Sequence, residues 1–202
     1  MSQIQEIIKQ TDNPYVNMFL VEGKNRKGGD VHYTIASRVR DEKDLKIRSG
    51  ENTADGVSIY ALYGEARDKV VLVRQYRFSI GRFIYEFPAG LCEDGEDFHA
   101  AAVREMHEET GLVFEPLKAD TMFETPRFTT IGMTDESVAM VYGYASGEPD
   151  MRFLEDTEEI RVVLADRAEA KRILREEWVA VQCAYQMAHF IHDEDPFAFL
   201  SC

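Results

Sequence analysis

The sequence predicts an α/β fold: a mixed sheet carrying helices on its faces, preceded by a small N-terminal antiparallel β unit. Three observations predict it. β-Branched and aromatic runs recur before, between and after helical stretches. The hydrophobic period lengthens from that of a strand to that of a helix at Asp97. Hydrophobic residues make up 45% of 202 positions and aromatics 11%, enough for one substantial core.

The first element is YVNMFLVEGKNRKGGDVHYTIASR, which reads as two strands around a Lys-Asn-Arg-Lys-Gly-Gly turn. A polar stretch follows from Arg40 and marks the expected boundary between a β unit over 1–50 and a main domain over 51–202. VSIYALYG and KVVLVRQYRF then read as a hairpin of buried strands across residues 64–68. RFIYEFPAG continues as a strand that breaks at Pro88, which has no N–H for a ladder.

A helix is expected over Phe98–Thr110, with Asp97 as N-cap, Gly111 as its left-handed end, and Phe98, Ala102 and Met106 as an apolar stripe. SVAMVYGYAS and EEIRVVLA read as strands, and helices over 166–177 and 178–192 close the chain. In the last, Val179, Cys183, Met187 and Phe190 are spaced as core packing.

Charge narrows the function. With 37 acidic against 23 basic residues the formal net charge is −14, which repels nucleic acid and anionic membranes, so neither is an expected partner. An enzyme of this charge acting on a phosphorylated substrate needs cations. No run approaches the roughly 18 apolar residues of a membrane helix, and MSQIQEIIKQ lacks the pattern of a signal peptide, so a cytoplasmic location is expected. Cys92, Cys183 and Cys202 have no metal-ligand spacing.

The carboxylates after Gly90 need an explanation. On the expected helix Glu105, Glu108 and Glu109 are spaced i, i+3 and i+4, so they share a side, which the wheel places roughly opposite the apolar stripe. Like charges at that spacing repel, and acids near a helix C-terminus oppose its dipole. A hard divalent cation, Mg²⁺ or Mn²⁺, resolves both. Arg104, four residues before Glu108, is placed to orient it.

Gly90, five residues, Glu96, seven residues, then Arg104-Glu105-Met106-His107-Glu108-Glu109-Thr110-Gly111-Leu112 resembles the signature of the Nudix hydrolases at every defined position. Chance agreement at seven specified residues is on the order of one in a million for this length. The resemblance implies the αβα sandwich of that family, and metal-dependent hydrolysis of a nucleoside diphosphate linked to a further moiety. It also implies Glu105, Glu108, Glu109 and the Ala89 carbonyl as metal ligands. VLVRQYRF and EFPAG resemble the ADP-ribose and nucleotide-sugar branch, for which ADP-ribose would yield AMP and ribose 5-phosphate. UDP-glucose or GDP-mannose is the alternative substrate, and a non-catalytic nucleotide-sensing module is the alternative of another class.

In that branch Arg77 matches a substrate-contacting arginine, Pro126 stands near the expected proline after the box, and Glu136 resembles a substrate-side glutamate. For Arg77 a strand-edge pair with a nearby carboxylate is the competing expectation. A catalytic glutamate before the last strand is also implied. LEDTEEIRV leaves Glu155, Asp156, Glu158 and Glu159 as candidates, of which Glu158 is chosen. The N-terminal unit of similar enzymes exchanges between subunits, so a homodimer is expected, with Arg38 as the basic residue that unit contributes.

Overall fold

The computed structural model describes residues 3–154 and 158–201. In chain order its strands are β1 (Gln3–Lys9), β2 (Asn17–Lys24), β3 (Asp30–Ser37), β4 (Gly56–Tyr63), β5 (Lys69–Arg77), β6 (Arg82–Glu86), β7 (Ala89–Leu91), β8 (Val113–Pro116), β9 (Arg127–Phe128), β10 (Ser137–Ser146) and β11 (Ile160–Asp166). Its helices are α1 (Lys46–Ser49), α2 (Phe98–Thr110), α3 (Thr121–Glu124), α4 (Arg167–Glu176) and α5 (Val181–His192). The chain forms two compact units, Met1–Asp55 with Pro126–Val138, and Gly56–Thr125 with Ala139–Cys202.

The first unit is built on an antiparallel sheet in the order β1-β2-β3. β2 and β3 pair from Asn17↔Ser37 to Lys24↔Asp30, joined by the expected turn, in which Gly28 takes φ +84°. β2 alternates buried and outward residues, and Phe19 and Val21 pack with Ile7 and Leu45. The polar stretch after Arg40, expected as a boundary, is more structured than its polarity suggests. Leu45 is fully buried, and it anchors the short helix α1, which ends at Gly50 with φ +70°. Lys46 Nζ then donates to Asp55 Oδ2 at 2.6 Å and to Ser137 Oγ at 2.5 Å, tying α1 to the start of β10. β9 pairs with that same start, at Ser137↔Phe128 and Val138↔Arg127.

In the second unit the sheet runs β11-β5-β4-β10-β8, with β6 on β5 and β7 on β4. All of β4 except Tyr63 is buried, which requires cover on both faces. Val70 and Leu72 of β5 pack with Ile173 of α4 and with Cys183, Met187 and Phe190 of α5. Strand alternation therefore turns Val71, Val73, Gln75 and Arg77 to the other face, and α2 packs against β4, β7 and β8. This is the mixed αβα arrangement expected.

Several expectations need correction. β1 and β8 were not foreseen, because pairing, of β1 with the next strand β2 and of β8 with the later β10, rather than composition makes them strands. The last helix begins at Val181 and not at 178. Residues 178–180 instead run beside β6, where Tyr85 N–H donates to the Trp178 carbonyl and Ala180 N–H to the Tyr85 carbonyl, each at 2.9 Å. Glu109 does not lie opposite the apolar stripe: three residues after Met106, it flanks the stripe and is only 3% exposed.

α2 has the expected ends. Asp97 Oδ1 accepts from His99 N–H and Ala100 N–H, and Gly111 takes φ +72°. A Cβ on Gly111 would stand 2.6 Å from the Asp150 backbone nitrogen. Gly111→Ala is therefore expected to lower stability by about 2 kcal/mol or more, read from urea unfolding, through combined backbone strain and overlap.

Candidate functional site: a carboxylate cluster between strand β7 and helix α2

Pro88 ends the β6 run, and its carbonyl accepts from Ile59 N–H at 2.9 Å. The chain then re-pairs with β4 through Ser58↔Ala89 and Val57↔Gly90, which lays its backbone along α2. At Gly90 the approach is so close that a Cβ would stand 1.9 Å from Glu105 Cδ. Any side chain there would displace the Glu105 carboxylate. One residue earlier, Ala89 N–H donates to Glu109 Oε2 at 3.0 Å.

The loop before α2 is held by Glu96. Its Oε2 accepts from Glu93 N–H at 2.9 Å, and Gly95 supplies the left-handed turn with φ +76°. Arg104 gathers the acceptors around it. It donates through Nε and Nη2 to both Glu96 oxygens (3.1 and 2.9 Å) and through Nη2 to the Leu91 carbonyl (2.9 Å). Through Nη1 it donates to Glu105 Oε1 (2.7 Å) and Glu108 Oε2 (2.9 Å). The guanidinium hydrogen bonds, helped by the Glu93 N–H, hold the Glu96 carboxyl down at about 2.

Its neighbours shift the other way. Burial raises Glu105 above the ordinary carboxylate range; Arg104 opposes this, and the charges of Glu108 and Glu158 add to it. Burial raises Glu109 much further; the Ala89 hydrogen bond and the charge of Arg77 oppose it, and Glu105 and Glu158 add to it.

The sheet separates the loop acids that sequence left open. Ile160 lies opposite Gln75, and Tyr76 N–H donates to the Glu159 carbonyl at 3.0 Å, so the β5–β11 register continues and sets Glu158 opposite Arg77. Glu158 is half-buried on the α2 face; Glu159, one residue on, is exposed and turned to the other. Glu155 and Asp156 lie outside the described residues.

Arg77 pairs with Glu86, Nε to Oε2 at 2.6 Å, a carboxylate partner that sequence reasoning had not singled out within RFIYEFPAG. Glu105, Glu108, Glu109, Ala89, Glu158 and Arg77 thus belong together in the second unit. Pro126 and Glu136 belong to the first. There the Pro126 carbonyl accepts from Asn52 Nδ2 at 2.8 Å. Glu136 accepts from Arg38 Nε at 2.8 Å and from Thr129 Oγ1 at 2.9 Å, beside a cavity of about 300 Å³ that Val16, Met133 and Thr134 also line.

Among the described residues no three acidic, histidine or cysteine side chains already converge as a ligand cage. Arg104 Nη1 instead stands between Glu105 and Glu108. The donor chemistry nonetheless fits a hard divalent cation. Its donors are carboxylate oxygens beside a backbone carbonyl, and Glu109 is a nearly inaccessible carboxylate that accepts from the Ala89 N–H.

A raised carboxyl in the folded state favours folding fully below its unfolded value and loses that contribution as pH climbs toward the folded value. With a chelator present, wild-type thermal stability is therefore expected to fall relative to Glu109→Gln as pH rises above 4.5, the ordinary value for this group. Scanning calorimetry across pH 4 to about 8 checks the trend; a constant difference between the two proteins contradicts it.

The family model described as "NUDIX domain" matches residues 52–188, more than half of the chain. An ADP-ribose pyrophosphatase of Saccharomyces cerevisiae is 31% identical over 123 residues, 58% of this chain and 53% of that protein. An ADP-sugar pyrophosphatase of Mus musculus is 42% identical over 80 residues, 39% of this chain and 36% of that protein. The matched stretch thus spans about half or less of these curated relatives. A solved structure described as "Crystal structure of ADP compounds hydrolase" shares the fold, with a TM-score of 0.59, 17% identity, and coverage of 87% of this chain and 83% of that one. The family model spans the same strand–loop–helix in which Gly90, Arg104 and the glutamates each meet a geometric need, and the chain belongs to the NUDIX domain family.

Proposed function

We propose that this chain is a divalent-metal-dependent pyrophosphatase that hydrolyses a nucleoside diphosphate linked to a further moiety, with ADP-ribose the favoured substrate and AMP and ribose 5-phosphate the products. The observation that carries the reading is the burial of Glu109 beside Glu105, with Glu158 close enough to perturb both. Such crowding is costly unless a cation and an anionic substrate complete it. The relatives named for ADP-ribose and ADP-sugars support the choice of substrate class. Nucleotide sugars, UDP-glucose or GDP-mannose, are the second reading; the mouse relative's name extends to ADP-sugars.

Glu105, Glu108, Glu109 and the Ala89 carbonyl would hold Mg²⁺ or Mn²⁺. When bound, the ion would offset diphosphate charge, polarise phosphorus and acidify a water. Around it the protein has its own tasks. Arg104 orients Glu105 and Glu108 and is itself fixed by Glu96 and the Leu91 carbonyl. Arg77, anchored by Glu86, presents positive charge to the diphosphate. Glu158 takes the proton of the attacking water as the new O–P bond forms and the bridging P–O bond breaks. Glu136, held by Arg38, and Pro126 are proposed as further substrate-contacting residues. A sensing module without catalysis has less support, since such modules commonly lose the glutamates of the box and this sequence retains Glu105, Glu108 and Glu109.

We also infer a homodimer formed through the N-terminal unit over 1–50. Tyr15 and Val16 there are exposed at 74% and 43%. Light scattering at micromolar concentration is expected to give about twice the chain mass of 23.1 kDa; a monomer mass removes the dimer.

Turnover of ADP-ribose in ¹⁸O-water, compared with a panel of nucleotide sugars, tests the reaction and identifies the phosphorus attacked. Glu158→Gln is expected to lose about a hundredfold or more in kcat while binding substrate as before, the magnitude of a missing general base. Unchanged turnover removes Glu158 from that role.

A further inference from the structure

Gln75 lies in VRQYRF, outside the box, and nothing in the signature accounts for it. In β5 it stands between Val73 and Arg77 on the strand face turned toward α2. Its partners across the two ladders are Ile84 and Ile160, so neither flank offers a hydrogen bond. The residue is only 7% exposed, and its Oε1 has no hydrogen-bond partner among the described residues. Buried side-chain oxygens are nearly always satisfied, and an orphan of this kind calls for an explanation.

Two donors on this side of the sheet are engaged elsewhere. Arg77 Nε donates to Glu86, and Ala89 N–H donates to Glu109. The direction in which Gln75 finds company is along the ladder. Glu158, two residues before Ile160, is its diagonal neighbour on the same face. Diagonal pairs of an antiparallel ladder stand about 7–8 Å apart, within reach of two long polar side chains and a water between them.

We propose that Gln75 is a positioning residue for the attacking water: its carbonyl oxygen accepts one hydrogen bond from that water while Glu158 accepts the other. The inference rests on the hydrolytic reading above and deepens it. Held by two acceptors, the water keeps a lone pair free for phosphorus. As its oxygen bonds to phosphorus, one proton passes to Glu158. The bridging P–O bond breaks with its electron pair going to the departing phosphate. Gln75 exchanges no proton; it sets the direction of attack, in the manner of a water-orienting glutamine in phosphoryl transfer.

Gln75→Met tests this, because methionine matches the length and removes the acceptor. A glutamine that is merely packed would be replaced with unchanged turnover and equal or higher Tm, since an unsatisfied polar atom has gone. The proposal instead expects kcat to fall about tenfold or more, KM to stay within about twofold, and Tm not to drop. A folded variant with wild-type kcat overturns it. A crystal structure of the wild-type protein supplies the second measurement: a water bonded to both Gln75 Oε1 and Glu158 is expected, and a protein donor on Gln75 Oε1 in its place overturns the assignment. Wild-type protein that cleaves none of the diphosphate panel defeats the hydrolytic reading and this proposal together, whereas an active wild type with an equally active Gln75→Met defeats the proposal alone.

Discussion

A carboxylate that cannot reach water organises this molecule. Glu109 is enclosed between α2 and the strand after Pro88, where the Ala89 N–H contributes a hydrogen bond and Arg77 contributes charge from a distance. Neither neutralises it, and Glu105 and Glu158 add negative charge to the same place. Enclosure of an anion is tolerable only where the surroundings, or a bound cation, answer its charge. The strand break, the glycine beside it and the helix that bears the acids are all arranged around that demand.

Two features keep the arrangement from flying apart. Gly90 lets the backbone lie against Glu105 at a distance no Cβ permits. Arg104 then holds Glu96, Glu105, Glu108 and the Leu91 carbonyl with a single planar group. A guanidinium suits this because its donors fan out in a fixed plane, whereas an ammonium is a point charge without that geometry. The acidic loop and the acidic helix are thereby tied together, and Glu158, just before β11, adds a further acid beside them.

Much of α2 was legible in the sequence because its determinants are local. An Asp that caps, a Gly that ends in the left-handed region and a spacing of three and four residues all act within a few turns. The depth of Glu109 was not legible. A helical wheel orders residues by angle but does not say where the sheet lies, and the stripe proved wide enough to take in the glutamate next to Met106. Leu45 misled in the opposite direction: within the polar stretch expected as a boundary it is fully buried and anchors a short helix. β1 and β8 escaped notice because their strand character comes from pairing, with the adjacent β2 and the later β10, rather than from composition.

By itself the sequence determined the chemistry available: which groups are acidic, which turn must be glycine, where the helix starts and stops, and that oxygen ligands crowd one segment. Only the tertiary structure decided which acids meet. Glu158 and Glu159 are equivalent in composition, yet the β5–β11 register sends one toward α2 and the other away. Gln75 looked like any strand residue until its flanks proved to be isoleucines. Side-chain direction in a sheet is set by pairing register, and register is a property of two segments brought together, which neither segment carries alone.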